Sequence, residues 1–366
     1  MSELLALEST SENQQDLLAS YLDTFTSLVN EQSQTSQDEL AYPWAWRHVG
    51  GESDFHLVVS IMIHGNEVGP LEGLLDVIDG LLSGKIKFMG TFTCFIGNPE
   101  AARLNKRFID IDLNRVFERT VLTEPPKKEN SKQTLETDLS VEVAIPHEVS
   151  RAQTLMDLLD QADLYIDFHQ TILDSTQSFY ICPWSKITWQ WMRIMGGAKV
   201  WVTRDPKHNS GGFKCADEYV RQRGIPSIAL ELGVLGFSAR ARAGVWKSLN
   251  RAFKSINRLK ETDLTLDNLA EGEPDLTFYR TSFRAPFSNA RLCLTDGLVN
   301  FQPVTQGQVL SDEKEGELLI VAPESGVILF PKYPTRNDEG VAKNPLPKEL
   351  YRIVVELEEH PLTLWE

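Results

Sequence analysis

Phe55-His-Leu-Val-Val-Ser-Ile-Met-Ile63-His64-Gly-Asn-Glu67-Val-Gly-Pro70-Leu-Glu-Gly-Leu-Leu-Asp-Val-Ile-Asp-Gly-Leu-Leu82 reads as an apolar strand, a glycine turn and a helix. Pro70 suits the first turn of that helix, where its missing N–H is no loss. The same alternation recurs along the chain. Apolar, β-branched runs at 88–96, 164–168, 178–182, 199–202 and 227–232 are separated by helical patterns at 150–161, 185–195, 212–223 and 239–259. Strands alternating with helices predict an α/β fold with a mixed central sheet flanked by helices.

Around this unit the chain divides into three parts. Residues 1–40 hold a leading amphipathic helix, centred on 12–31 with Leu17, Leu18, Tyr21, Leu22, Phe25, Leu28 and Val29 at helical spacing. The α/β domain is expected over 41–262, and a polar linker runs from Thr262 to Glu273. From 275 to 366 short alternating runs punctuated by turn residues predict a smaller all-β domain. Within the α/β part, 118–146 is polar and aperiodic and reads as a long surface loop, either a lid or an insertion without a role.

A chain of 366 residues with 42% hydrophobic and 24% charged residues can bury a sizeable core. Its net charge of −16 argues against nucleic acid and against an anionic membrane surface. An anionic small substrate needs local arginines to offset that field. The N-terminus lacks the basic and apolar regions of a secretory signal, and no apolar run reaches the ~18 residues of a membrane helix, so a cytoplasmic protein is expected. Cys94, Cys182, Cys215 and Cys293 are scattered without Cys-x-x-Cys spacing and are read as buried thiols.

The chemistry begins at the glycine turn. His64 and Glu67, three residues apart where the strand breaks, are ordinary zinc ligands, and a catalytic zinc takes three protein ligands with one position open. Taken alone, a surface turn that merely contains both residues explains the pair better, and a third ligand is needed to reverse that. Open α/β sheets bind ligands beyond the carboxyl ends of their strands. Asp163-Leu-Tyr-Ile-Asp167-Phe-His169 places a histidine there, which makes His169 the third candidate. Pro226-Ser-Ile-Ala-Leu-Glu231 ends another apolar run on a carboxylate that is costly to bury without a task, and it is the candidate general base and acid. The stretch from Gly97 to Arg115 adds Arg107, Asn114 and Arg115, whose donors suit an oxyanion and a substrate carboxylate.

Taken in order, His64-Gly-Asn-Glu67, Gly97-Asn-Pro, Arg107-Phe-Ile-Asp-Ile-Asp112-Leu-Asn114-Arg115, Asp167-Phe-His169 and Glu231 resemble the succinylglutamate desuccinylase and aspartoacylase family of the zinc carboxypeptidase-like superfamily. The resemblance spans roughly 50–260, and a C-terminal β domain is typical of the family. It implies one zinc ion per chain on His64, Glu67 and His169, with Glu231 as base and acid. It also implies that Arg107 stabilises the oxyanion, that Asn114 and Arg115 hold the carboxylate of a small anionic N-acyl amino acid, and that Asp112 and Asp167 lie behind the ligands.

The chain departs from that pattern after His169, where Gln-Thr-Ile-Leu173-Asp174 stands in place of the basic residue of the desuccinylases. The amidohydrolase expectation survives this, whereas a succinyl or aspartyl substrate does not follow. Three other readings exist. One is a carboxypeptidase acting on peptides, and another is a binding protein without catalysis, which a missing ligand would favour. The third is an acyl carrier: Val304 to Leu310 and Ala322 to Leu329 look like the halves of a barrel-sandwich hybrid, with Lys314 near the carrier position. The oligomeric state is not legible.

Overall fold

A computed structural model of the chain describes residues 2–35, 42–119, 145–208, 214–312, 318–343 and 346–366, with side chains in the first stretch described from 13 to 32. In chain order the elements are α1 (Ser2–Thr35), β1 (Ala45–Val49), β2 (His56–Ile61), α2 (Pro70–Leu82), β3 (Thr91–Ile96), α3 (Pro99–Arg103), α4 (His147–Leu159), β4 (Leu164–Thr171), β5 (Phe179–Ile181) and α5 (Lys186–Met195). They continue with β6 (Val200–Val202), α6 (Ala216–Arg221), β7 (Ser227–Val234), α7 (Ala239–Glu261), α8 (Leu266–Ala270), β8 (Thr277–Pro286), β9 (Pro303–Val304), β10 (Gly326–Leu329), β11 (Glu349–Glu356) and α9 (Pro361–Trp365).

Every residue of β2 and β4 is buried, so their side chains alternate between two apolar cores. Leu57, Val59 and Ile61 of β2 join Leu164, Ile166 and Phe168 of β4 in the core beneath α1, α2, α5 and α7. Val58 and Tyr165 face the other way, into the core formed with α4 and α6. The result is a mixed sheet between two helical layers. Helix α2 lies so close to α7 that a Cβ on Gly73 would stand 2.6 Å from the Arg242 carbonyl oxygen. That contact fixes the helix that follows the His64 turn.

Among the described residues the sheet order is β1-β3-β2-β4-β7-β5-β6-β8-β11-β10-β9. Strands β3, β2, β4 and β7 are parallel, which puts the carboxyl ends of β2, β4 and β7 side by side. The C-terminal strands do not stand apart from this sheet. The 10-residue β8 is long enough to pair with β6 in parallel at Val200↔Thr277 and with β11 antiparallel further on. Leu310, Ile328 and Ile353 nevertheless gather an apolar cluster of their own there. The expected all-β character is also interrupted by α9.

Several expectations shift in detail. A strand outside the predicted runs, β1, pairs antiparallel to β3 with Ala45 and Trp46 buried. The polar linker holds α8, closed by a capping box between Thr265 and Asn268. The runs at 297–301 and 307–310 make isolated bridges, Ser175↔Asn300 and Val309↔Val321, in place of strands. Segments 303–304 and 326–327 pair antiparallel, while Lys314 and most of the 118–146 loop (residues 120–144) lie outside the described residues. All four cysteines are free; Cys94 and Cys182 are buried, but Cys215 and Cys293 are only half-buried.

Candidate active site

The turn after β2 is held by the glycines of the opening motif. A Cβ on Gly65 would stand 2.5 Å from the Ala102 nitrogen, so only glycine lets the turn rest against α3. Met62 just before it has a left-handed backbone (φ 54°), local strain of the kind that collects at working sites. Gln170 locks the far side: its Oε1 accepts from the Gly69 N–H at 2.7 Å while its amide donates to the carbonyls of Val234 and Gly236. The His64 turn is therefore tied to the ends of β4 and β7.

At this junction His64, Glu67 and His169 come together, all buried, with one ligand atom from each lying within 4.8 Å of the others. His64 Nδ1 is 2.8 Å from Glu67 Oε1, and His169 Nδ1 is 2.9 Å from Glu67 Oε2. Each imidazole turns its other nitrogen to a second carboxylate, His64 Nε2 to Asp112 at 3.2 Å and His169 Nε2 to Asp167 at 2.7 Å. Carboxylates in that position fix the tautomer of ligating histidines. Asp167 is steadied in turn by the Ser60 hydroxyl at 2.6 Å, itself 2.6 Å from Tyr165 Oη. The sequence expectation that His169 and Glu231 end their strands is corrected: β4 runs on to Thr171 and β7 to Val234. A register shift falls between His169 and Thr171, where a bulge re-aims side chains.

Glu231 is the cross-strand partner of His169. Its Oε2 is shut off from solvent and has no hydrogen-bond partner among the described residues. Burial, with Glu67 adding to it, pushes the Glu231 carboxyl up to about 7 against the opposing pull of His169, His64 and Arg107. Glu67 is also buried, but His64 and His169 outweigh burial and hold its carboxyl below the usual range. Burial opposes a charge on His169, and Asp167 and Glu67 reverse that effect and raise it. A divalent cation fits this donor set, since two imidazole nitrogens and a carboxylate converge while an unpartnered carboxylate oxygen waits beside them.

Arg107 reaches the centre from the loop after α3, with its guanidinium 3.2 Å from Glu67 and bonded to Asp112 at 3.2 Å. Asn114 and Arg115 lie in the 3-10 turn Leu113–Arg115, capped by Asp112. Asn114 is buried and its Oδ1 accepts from the Ala216 N–H at 2.9 Å, which leaves the amide NH2 as the group it can offer a ligand. Arg115 is exposed and donates to the Asn114 carbonyl at 2.5 Å.

What shapes this loop was missed in the sequence. Glu148, fully buried in the first turn of α4, accepts from the N–H groups of Ile109, Asp110 and Ile111 and from the Asn98 amide at 2.6–3.1 Å. An acidic residue, with Arg151 three places on, in the first turns of a face that then runs apolar from Ala152 to Leu159 was the available signal.

Residues 55–259 match the model of the succinylglutamate desuccinylase/aspartoacylase catalytic domain. The chain belongs to this family. Its members are hydrolases that act on amide bonds. A succinylglutamate desuccinylase from Pseudomonas syringae pv. tomato is 26% identical over 300 residues, 77% of this chain and 80% of that protein. In three dimensions the chain is similar to succinylglutamate desuccinylase from Vibrio parahaemolyticus, with a TM-score of 0.59, 18% identity and 87% of each chain covered. It is also similar to murine aminoacylase 3, with a TM-score of 0.51, 19% identity and coverage of 84% of this chain and 96% of that one. No helix among the described residues is long and apolar enough to cross a membrane.

Proposed function

We propose that this family member is a zinc-dependent amidohydrolase that removes the acyl group from a small N-acyl amino acid. The reading is carried by the junction of β2, β4 and β7, where a three-residue donor set meets the unpartnered Oε2 of Glu231. A zinc ion held by His64, Glu67 and His169 would polarise the scissile carbonyl and lower the pKa of a water from 15.7 towards about 7. Glu231, whose carboxyl burial raises above the ordinary range, takes the proton from the attacking water and delivers it to the departing amine. Arg107 donates to the oxygen that gains charge. The Asn114 amide and the Arg115 guanidinium hold the carboxylate of the amino acid. The activities named for the three relatives suggest the class of substrate, not its acyl group.

The test is a panel of N-acyl amino acids and short peptides offered to the zinc-loaded protein. Release of free amino acid from the former supports the reading. Cleavage of peptides alone would make the protein a carboxypeptidase, and a protein that binds no zinc and turns over nothing would sink both.

A further inference from the structure

Tyr165, Asp167 and His169 occupy alternate positions of β4 and share one face, and Ser60 of β2 is the register partner of Asp167. All four are buried, and Ser60, Tyr165 and Asp167 have no exposed surface at all. The Tyr165 ring belongs to the apolar core with Val58, Leu155 and Val220. A hydroxyl in such a place is costly unless it is bonded. Phenylalanine at 165 and alanine at 60 would fill nearly the same space and bury no hydroxyl. Among the described residues, the two hydroxyls bond only to each other and to Asp167.

Counting protons gives this chain a single direction. Ser60 has one O–H, and it donates to Asp167 Oδ1 at 2.6 Å. Tyr165 Oη, 2.6 Å from Ser60 Oγ, is therefore the donor to Ser60. Burial, then the Asp167 charge, hold the Tyr165 hydroxyl well above its usual range, so its proton stays in place. Asp167 Oδ2 meets His169 Nε2 at 2.7 Å. One carboxylate thus receives a donor at each oxygen, and the bond at Oδ1 keeps Oδ2 aimed at the imidazole. Each donor polarises the next, so Tyr165 strengthens the Ser60 bond that pins Asp167.

We infer that Ser60 and Tyr165 are positioning residues for a metal ion: acting through Asp167, they hold His169 with Nδ1 turned to the donor set and so raise the zinc affinity of the site. The assignment rests on the zinc-dependent reading above. Neither hydroxyl bonds to His64, Glu67 or His169, so the effect has to pass through Asp167. A double-mutant cycle detects that dependence.

Zinc dissociation constants are measured by competition with a chromophoric chelator for wild type, Tyr165→Phe, Asp167→Ala and the double variant. Tyr165→Phe should weaken zinc binding about three- to tenfold in the wild-type background, less than the loss of a direct partner of the ligand. In the Asp167→Ala background the same substitution should change it by less than about twofold. Ser60→Ala should weaken it more than Tyr165→Phe does, because it removes the bond to Asp167 outright. Wild-type zinc affinity in Tyr165→Phe and Ser60→Ala, whatever their unfolding midpoints, would overturn the assignment, and so would equal losses in both backgrounds. If Asp167→Ala does not fold, the two single variants, which keep the core filled, still decide. Coupled losses in a protein that hydrolyses no N-acyl amino acid keep the assignment and remove the proposed function. Hydrolysis by a Tyr165→Phe protein of unchanged zinc affinity does the reverse, and a wild type that binds no zinc sinks both.

Discussion

Asp167 Oδ2 lies 2.7 Å from His169 Nε2, so the imidazole is held with Nδ1 turned towards Glu67. The two residues lie two apart on β4, and the strand's period of two turns both side chains to the same face. A carboxylate in this position keeps the proton on Nε2 and makes Nδ1 a better donor to a metal. Asp167→Asn preserves the shape and removes the charge. It should weaken zinc binding by about 10- to 100-fold, read by competition with a chromophoric chelator. An unchanged zinc affinity would show that Asp167 serves the core alone.

Glu231→Gln separates metal binding from proton transfer. Zinc content should stay at the wild-type level while kcat falls by about 10²- to 10⁴-fold. The acid limb of kcat/KM, set in the wild type by a carboxyl near 7 that a neighbouring cation draws lower, should vanish with it. The same substitution has a stability signature. The folded-state pKa lies above the ordinary 4.5, so the carboxyl favours folding only while protonated, and this advantage disappears as pH rises through about 7. Zinc-free Glu231→Gln should therefore be more stable than wild type at pH 8, by an amount on the order of 1–3 kcal/mol, and should lose that advantage at pH 4. Denaturant unfolding at the two pH values reads the difference directly.

The parts of the site that follow from strand ends were legible in the sequence, because an apolar run that stops on His64, His169 or Glu231 is a local pattern. The supporting partners were not. Glu148, Gln170 and Ser60 act on residues 37 to 107 positions away in the chain, and nothing local marks such pairs. The sheet shows the same divide. Helix α2 falls where Pro70 and the apolar spacing put it, whereas the merging of β8 with β6 depends on a pairing between Thr277 and Val200 that no window of sequence contains.

The loop from Arg107 to Arg115 owes its shape to Glu148. Replacing that carboxylate with alanine leaves three backbone N–H groups and the Asn98 amide without their acceptor. Glu148→Ala should destabilise the fold by at least about 2 kcal/mol. In the fraction that remains folded, KM should rise because Asn114 and Arg115 lose their seat, while zinc content stays unchanged. Glu148→Gln, which keeps one acceptor oxygen, should fall between the two. A Glu148→Ala protein with a wild-type KM and melting temperature would show that the loop is held by Asp112 and Arg107 alone.

His56 offers a test of the fold that is independent of the catalytic centre. Its imidazole is buried at the start of β2, with Nε2 2.8 Å from the Thr93 hydroxyl, and burial with the nearby Arg47 lowers it to about 4. The unfolded chain takes up a proton there near 6.5, so the native state holds its full advantage above 6.5 and loses it as pH falls towards 4. Between pH 7.5 and 4.5 wild type should lose on the order of 2 kcal/mol more than His56→Gln, which stays neutral throughout. Urea unfolding of both proteins at the two pH values measures this, and parallel losses in the pair would place the acid sensitivity elsewhere.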